Sequence, residues 1–299
     1  MKVRVRFAKL GKVRFTSHRD VARMWERALR RAGLRPAYTA GFSPRPKLAF
    51  GLALSTGHES LAEYLDIELV DAAVDLDGPA GEGPTVGAAD DALALAALPA
   101  RLSAELPAGI DVTAVAPLPP GALSLQESVT SCSWKIEAIG VDVPAAELLT
   151  SRAMGADALV LTRSRKGREV TDDLRPALLH VSVSGPTAGG VELDAELGIH
   201  PRSLRPSELL LALSPDGALR EGRVVRTAQW TWHDGARREP LATSGPPRED
   251  LHVRARNPRS DGPPGADVPE PGGGRVPAGG SVPAGGSVVE PAGAGRPPG

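Results

Sequence analysis

The sequence predicts an α+β fold, with two ferredoxin-like (βαββαβ) units in tandem followed by a disordered Gly/Pro-rich tail. Short runs of alternating apolar and polar residues indicate half-buried strands, and amphipathic helical stretches separate them in each half of the chain. From about residue 236 Gly, Pro and Ala dominate, so that segment lacks the apolar residues needed to offset its ordering entropy. The predicted boundaries are 1–120 for the first unit, 128–235 for the second and 236–299 for the tail.

The first unit begins with a strand at 2–8 whose two faces differ in chemistry. Its apolar face holds Val3, Val5 and Phe7, and its basic face holds Lys2, Arg4 and Arg6. A helix is predicted between Ser17, a favoured N-cap type, and Gly33, a favoured residue just after a helix. Its apolar stripe consists of Val21, Met24, Trp25, Ala28, Leu29 and Ala32. The opposite side carries Arg19, Arg23, Arg27 and Arg30.

The rest of the first unit contains a two-proline loop, two strands, a loose loop, a helix and a last strand. These elements are predicted at 41–46, 47–54, 61–70, 71–91, 92–106 and 109–117. Strands one and three are neighbours in this topology, so we expect Arg4 and Arg6 to lie across from Asp66 and Glu68. Tyr64 would face outward with these two acids, and much of the basic charge on the first strand would be structural.

The second unit repeats the pattern with an additional hairpin. Asp142 precedes a proline and is placed to start a helix, and Arg165 to Arg168 form a tight turn. Strands are predicted at 131–139, 157–163, 176–184, 191–197 and 223–232, and a helix from Pro206 through Leu213.

Composition excludes several classes of protein. No run of about 18 apolar residues is present, and the N-terminal segment MKVRVRFAKLGK has no apolar signal core, so we expect a cytoplasmic protein. The single cysteine, Cys132, cannot supply the ligands of an iron–sulfur cluster or a cysteine-rich zinc site. No nucleotide-binding or metal-ligand motif is present, and no cofactor or metal is predicted.

The net charge of −1 conceals a segregation of charge along the chain. Residues 1–50 carry fourteen Lys or Arg and two acids, whereas residues 51–130 carry one Arg and thirteen acids. This pattern indicates either a basic surface for a polyanion or mutual neutralisation within the fold.

Basic residues in loops are the candidate ligand-binding residues, because a helix N-terminus with nearby cations is a suitable phosphate site. They are Lys9, Lys12, Arg14, Ser17, His18, Arg19, Ser43, Arg45, Lys47, Arg163, Arg165, Lys166, Arg168 and Arg175. Simpler explanations are a solvated basic hairpin at 163–175 and a helix surface on which Glu26 pairs with Arg30. His18 is the one candidate for acid–base chemistry, and no catalytic residue is assigned.

Two segments of the first unit suggest a family. RVRFAKLGKVRFTSHRDVARMWERALRRAG and GFSPRPKLAFGLALSTGHESLAEYLDIEL resemble the bacterial radical SAM-linked (radical SAM-associated) family, a domain of unknown function. The resemblance covers about residues 1–232 and is most specific in the first seventy. Members occur alone or joined to a radical SAM protein, which implies a working partnership with such an enzyme.

These observations lead to three hypotheses. The first is a non-catalytic accessory protein that presents structured RNA, such as tRNA or rRNA, to a partner radical SAM enzyme. Aromatic residues make up 3% of the chain, so RNA would bind through charge and loops rather than through a base-stacking sheet. The alternatives are a metal-independent RNA-cleaving or RNA-modifying enzyme that uses His18, and a protein-interaction module without nucleic acid.

Overall fold

The computed structural model describes residues 1–70, 88–165 and 167–241, and describes 88–94 and 165 by their backbone alone. Within these residues the chain forms eleven β-strands and five α-helices. The strands are β1 (Lys2–Lys9), β2 (Leu48–Phe50), β3 (Glu59–Glu68), β4 (Ile110–Pro117), β5 (Val129–Ile139), β6 (Val160–Arg165), β7 (Arg168–Asp173), β8 (Leu178–Pro186), β9 (Gly190–Gly198), β10 (Arg220–His233) and β11 (Ala236–Arg238). The helices are α1 (His18–Arg31), α2 (Ala88–Glu105), α3 (Leu125–Ser128), α4 (Val143–Gly155) and α5 (Pro206–Leu213). The α+β class predicted from the sequence is confirmed.

One nine-stranded sheet runs through the described chain. Its central order is β4-β1-β3-β10-β5-β9-β8, with β2 added to β3 and β11 added to β10. Neighbouring strands are antiparallel except β3 and β10, which are parallel and pair Val225 with Glu59 and Arg226 with Ser60. β6 and β7 form a separate two-stranded hairpin.

Two strands share one edge of β3. Strand β1 occupies the other edge, while β2 pairs with residues 65–67 and β10 pairs with 59–60. The strand predicted at 47–54 therefore ends at Phe50. Beyond it the chain leaves the edge of β3, and Leu52 and Leu54 pack against the apolar core of the second half.

The first apolar core lies between the sheet and helices α1 and α2. Val3, Val5 and Phe7 are buried as predicted, and the Phe7 ring meets the Trp25 ring edge-on at 5.0 Å between centroids. Ser17 caps α1 by accepting a hydrogen bond from the Asp20 N–H, as its residue type predicts. Gly33 follows the helix with φ +67°, a conformation that glycine adopts without strain.

The second core packs beneath α4 and α5 and contains Cys132, which is buried as a small hydrophobe. Asp142 caps α4 by accepting from the Ala145 N–H, and α5 has the predicted bounds. Burial raises the pKa of the Cys132 thiol to about 11, so this thiol stays protonated at neutral pH.

In the first half, the face of the sheet that points away from the first core is more buried than predicted. Arg4 and Asp66 are paired across the strands as expected, by two hydrogen bonds of 2.7 and 2.9 Å. However, Tyr64 and Asp66 do not face solvent, because the segment around α3 covers them: Tyr64 packs with Leu125 in a small apolar cluster. Arg6 binds Glu239, and Glu68 binds Lys47, rather than each other.

Three other predicted segments have different limits. Helix α2 begins at Ala88, inside the predicted loop 71–91, and residues 71–87 of that loop lie outside the described chain. The predicted strand near 157–163 becomes β6, and the turn after it contains Gly167 at φ +76°. Strand β11 lies within the first residues of the predicted disordered tail, while 242–299 lie outside the described chain. No helix among the described residues is long and apolar enough to cross a membrane.

Candidate functional site

The first basic segment, residues 9–19, connects β1 to the start of α1, and Lys9 is its most buried cation. Its side chain comes from the end of β1, the residue is 5% exposed, and its Nζ donates to the Thr16 carbonyl at 3.3 Å. Burial lowers the pKa of Lys9, and the carboxylate of Glu63 opposes this effect only in part. A desolvated cation, Lys9, thus lies near the N-terminus of α1, and it is one of the predicted binding residues.

A cleft with an empty volume of about 400 Å³, open solvent included, lies beside this cation. Lys9 and Glu63 line it from β1 and β3, His18 from the start of α1, and Phe50 with residues 51–54 from the chain after β2. We refer to it as the Lys9 cleft. Its position follows from the fold, since the chain after Phe50 leaves the edge of β3 at this point.

An ion pair between the two halves of the chain supports the cleft. Arg226, on β10, is 1% exposed, and its Nε and Nη2 donate to Oε1 of Glu63 at 3.2 and 2.5 Å. Nη2 also donates to the Leu52 carbonyl at 2.9 Å, and the guanidinium lies 5.5 Å from the centre of the Trp134 ring. Burial disfavours the charge, but Glu63 outweighs it and the pKa of Arg226 is raised. This pair was not predicted, because its residues are 163 positions apart.

Glu59 forms a second junction between the halves. It is 4% exposed and accepts from the Gly11 N–H at 2.7 Å, from Arg14 at 3.2 Å and from Arg223 at 2.8 Å. Burial alone would raise the pKa of this carboxyl, but the Gly11 N–H and the two guanidinium groups hold it below its ordinary value. Arg14, a predicted ligand-binding residue, is therefore engaged inside the protein.

Three other predicted binding residues have protein partners. Lys47 binds Glu68 at 2.8 Å. Arg163 lies 2.8 Å from Asp172 and 3.4 Å from Glu208. Arg175 donates to the carbonyls of Met154, Ala156 and Leu178 at 2.9 to 3.0 Å, so it closes the end of α4. These contacts account for the three cations as structural residues.

The second basic loop is a protruding arm, residues 37–47. Its two sides are joined by hydrogen bonds from Thr39 N–H to the Arg45 carbonyl at 2.9 Å and from Lys47 N–H to the Ala37 carbonyl at 2.7 Å. Ser43 and Arg45 are exposed on it, as predicted for binding residues. Phe42 is fully exposed at the same tip and Tyr38 is 57% exposed. The aromatic residues in this basic segment were visible in the sequence, but were not included among the predicted site residues.

Seven basic residues of the first half are exposed and form no ion pair with any residue that the structure describes. We call them the basic surface: Lys12, Arg19, Arg27, Arg30, Arg31, Arg35 and Arg45. The ion pair expected between Glu26 and Arg30 is not formed among the described residues, and Arg23 instead lies 3.7 Å from Asp20. Apart from Arg23, the exposed arginines of α1 are therefore not neutralised by acids of their own helix.

The predicted basic hairpin is separate from this surface. Arg163 and Arg168 belong to the β6–β7 hairpin, in which β6 packs against α5 of the second half. Arg168 is exposed, whereas Lys166 and the side chain of Arg165 lie outside the described structure. The structure therefore places the predicted residues in two groups, and the cleft belongs to the group at α1.

His18 is at the edge of the cleft but is not oriented as a general base. Its ring meets the Phe50 ring edge-on at 4.9 Å between centroids, and it makes no hydrogen bond with any described residue. Within the described chain, no group of three or more His, Cys, Asp or Glu side chains is placed to hold a metal ion. The arrangement favours binding by charge and ring contacts.

Comparison with models of known protein families identifies the family of this chain. The model of the family described as "Uncharacterized protein conserved in bacteria (DUF2344)" matches residues 2–78 and 85–206. The matched segments contain Lys9, His18, Phe50 and Glu63, and they end before β10, which supplies Arg226. Among curated proteins, none matches this chain.

Proposed function

This chain belongs to the bacterial family DUF2344, whose description gives no function, so we propose a function from the residues that this chain exposes. We propose that it is a non-catalytic accessory protein that binds structured RNA, such as tRNA or rRNA, and presents it to a radical SAM enzyme. The RNA backbone lies along α1 and the arm, and the basic surface holds it.

The basic surface is the observation that carries this proposal. Lys2, Arg4 and Arg14 are paired with acids inside the protein, so the fold uses part of the segregated charge for its own stability. Apart from Arg23, which lies near Asp20, the exposed arginines of α1 have no acidic partner among the described residues. Clustered cations without internal partners are the electrostatic footprint of a polyanion site, since each phosphate contact releases bound counterions.

The arm favours RNA over an acidic protein surface. Phe42 and Tyr38 are exposed next to Arg45, and exposed aromatic rings among cations suit unpaired bases, which stack on rings. The sheet face cannot serve for stacking, because Tyr64 is buried under the segment around α3. RNA therefore meets a helix and a loop rather than the strands.

We also propose that the nine-stranded sheet consists of two ferredoxin-like units side by side. The order β4-β1-β3 with β2 on the far edge of β3 supports a βαββαβ arrangement in the first half. The order β10-β5-β9-β8, with α4 after β5 and α5 before β10, supports it in the second half, where β6–β7 is an inserted hairpin.

The partnership rests on the family resemblance of the first seventy residues and on the cysteine content. A single buried cysteine cannot hold an iron–sulfur cluster, so we assign the cluster to the partner in this proposal. In this proposal the protein supplies RNA binding and the enzyme supplies the chemistry.

Neutralising part of the basic surface tests the RNA proposal. The variant Arg27→Gln/Arg30→Gln/Arg31→Gln removes three exposed charges from α1, and its affinity for bulk tRNA is measured by fluorescence anisotropy across a salt series. For about four phosphate contacts, the wild-type slope of log K against log salt is about −3 to −4. We expect the variant to lose roughly two or three of these units of slope.

A control with the same loss of charge is Arg152→Gln/Arg220→Gln/Arg238→Gln, at exposed positions of the second half. It should keep the wild-type slope. Equal losses in both variants would mean that the binding follows net charge alone. Wild-type affinity that is absent at low salt, or indifferent to salt, would refute RNA binding.

A further inference from the structure

We infer that the Lys9 cleft accepts one unpaired nucleobase of the bound RNA. This inference rests on the proposed function, because the basic surface must first hold the sugar–phosphate backbone near α1. It adds a base-binding site to a surface that the proposal uses only for phosphates. Glu63 and Phe50, which were not among the predicted binding residues, become contact residues.

The floor of the cleft offers a hydrogen-bond donor and an acceptor together. Of the three N–H groups on the Lys9 ammonium, one is directed at the Thr16 carbonyl. In Glu63, Oε1 takes both hydrogen bonds from Arg226, and Oε2 accepts none from the described residues. The edges of all four nucleobases present donors next to acceptors, so a base can use both groups at once.

The wall of the cleft is aromatic. His18 and Phe50 both line the cleft, and their rings meet edge-on at 78° with 4.9 Å between the centroids. His18 is exposed and Phe50 is half-buried, which leaves ring surface accessible to a ligand. Unpaired bases of RNA are bound in this way, between ring contacts and polar groups that read their edges.

The presence of both a cation, Lys9, and an anion, Glu63, in the cleft favours a neutral base over a phosphate as its ligand. A phosphate on Lys9 would approach the carboxylate of Glu63, which lines the same cleft and stays fixed by Arg226. Two anions in a partly buried site repel each other, whereas a base is neutral and satisfies both groups.

The position of the cleft suits a base from the same RNA. Strand β2 (Leu48–Phe50) directly follows Lys47, the last residue of the arm, and ends at Phe50 in the cleft. His18 is followed directly by Arg19 of the basic surface. A backbone held along α1 and the arm therefore passes the mouth of the cleft.

The experiment compares two fluorescein-labelled probes: a twelve-nucleotide oligouridylate and an abasic oligomer of the same length, which keeps the phosphates and lacks bases. Wild-type protein should bind the oligouridylate about tenfold more tightly, in line with the known contribution of one stacked base. Phe50→Leu keeps the apolar packing but removes the ring, so the ratio should fall several-fold, to the part that Phe42 and Tyr38 contribute, with no change in affinity for the abasic probe.

Trp232→Leu, which removes an exposed ring in the second half, is the matched control and should keep the wild-type ratio. If Phe42→Leu removes the ratio and Phe50→Leu keeps it, the base is bound at the arm and the inference is wrong. Equal wild-type affinities for the two probes would also overturn it, while leaving the RNA proposal intact. If neither the two probes nor bulk tRNA binds at low salt, the proposed function itself fails. Circular dichroism confirms that each variant is folded.

Discussion

Arg226→Met tests whether the two halves of the chain are held together by the buried ion pair with Glu63. Methionine keeps most of the aliphatic volume and removes the guanidinium, so the measured loss reports the charge and its hydrogen bonds. The substitution deletes two hydrogen bonds to Glu63 and one to the Leu52 carbonyl. It also leaves a carboxylate that is 12% exposed without its closest cation.

Breaking a buried ion pair at one partner costs about 3–5 kcal/mol. Lys9 remains near Glu63 and offsets part of the uncompensated charge, so we expect the lower end, about 3 kcal/mol. Glu63→Gln, which leaves Arg226 charged and buried, should cost a similar amount. The double variant should cost less than the two singles together, by at least about 2 kcal/mol, because each single change strands a charge that the double change does not.

The assay is urea unfolding at pH 7, followed by tryptophan fluorescence, since Trp25 reports the first core and Trp134 the second. Arg30→Met makes the same substitution on the exposed face of α1 and should stay within about 0.5 kcal/mol of wild type. A loss below about 1 kcal/mol for Arg226→Met, or strictly additive single effects, would refute the role given to this pair.

Two further predictions concern stability. Glu59→Gln should cost about 2 kcal/mol at pH 7, because a buried carboxylate that accepts charged hydrogen bonds is replaced by a neutral amide. Because the pKa of Glu59 is lowered in the folded protein, its contribution to the free energy of unfolding is complete above the ordinary value of 4.5 and is lost as the pH falls through the folded value. The stabilities of wild type and Glu59→Gln should therefore converge in acid. A stability difference that stays constant with pH would contradict this. Gly109→Ala should cost at least about 2 kcal/mol in the same urea assay, because φ is +94° and a Cβ would lie 2.2 Å from the Leu10 carbonyl oxygen. Gly121→Ala, at φ +78° with open space around it, carries only the backbone cost of about 1 kcal/mol, and equal losses at the two sites would show that the close approach does not matter.

Local patterns predicted α1, the start of α4 and the bounds of α5, but did not predict α3. Ser17 and Asp142 are N-caps, and the buried stripe of α1 contains the predicted apolar residues, of which Met24 is half-buried. These features depend on residues three or four positions apart, so they are legible in a single sequence. The pairing of Arg4 with Asp66 was also predictable, because strand order and alternation together fix which residues lie opposite.

Contacts between distant segments were not predictable in this way. Tyr64 alternates with apolar residues as an outward-facing residue would, yet the segment around α3 covers it. Arg6 is paired by Glu239, 233 residues away, and Arg226 by Glu63. In each case a later segment returns to the first half, and periodicity within a strand carries no information about such a return.

The same holds for the candidate site. Lys9, His18 and the arm were identified from basic residues near turns and a helix start, and the structure brings Lys9 and His18 to one cleft. Glu63 was missed because an acid within an apolar strand suggests a solvent-facing residue. Its neighbours at the cleft depend on where β2 ends and where β10 joins β3, which no local pattern specifies.

The place of β10 in the sheet has a consequence for folding during synthesis, because its two neighbours are made before it. This strand is the last long one in the described chain, yet it lies between β3 and β5 and completes both. A ribosome therefore delivers β5 with one bare edge and β3 with Glu59 and Ser60 unpaired on that side, until residues 220–233 emerge. Bare strand edges attract other chains, and pairings between distant segments form slowly. A nascent chain truncated before β10 should need a chaperone that the finished protein does not.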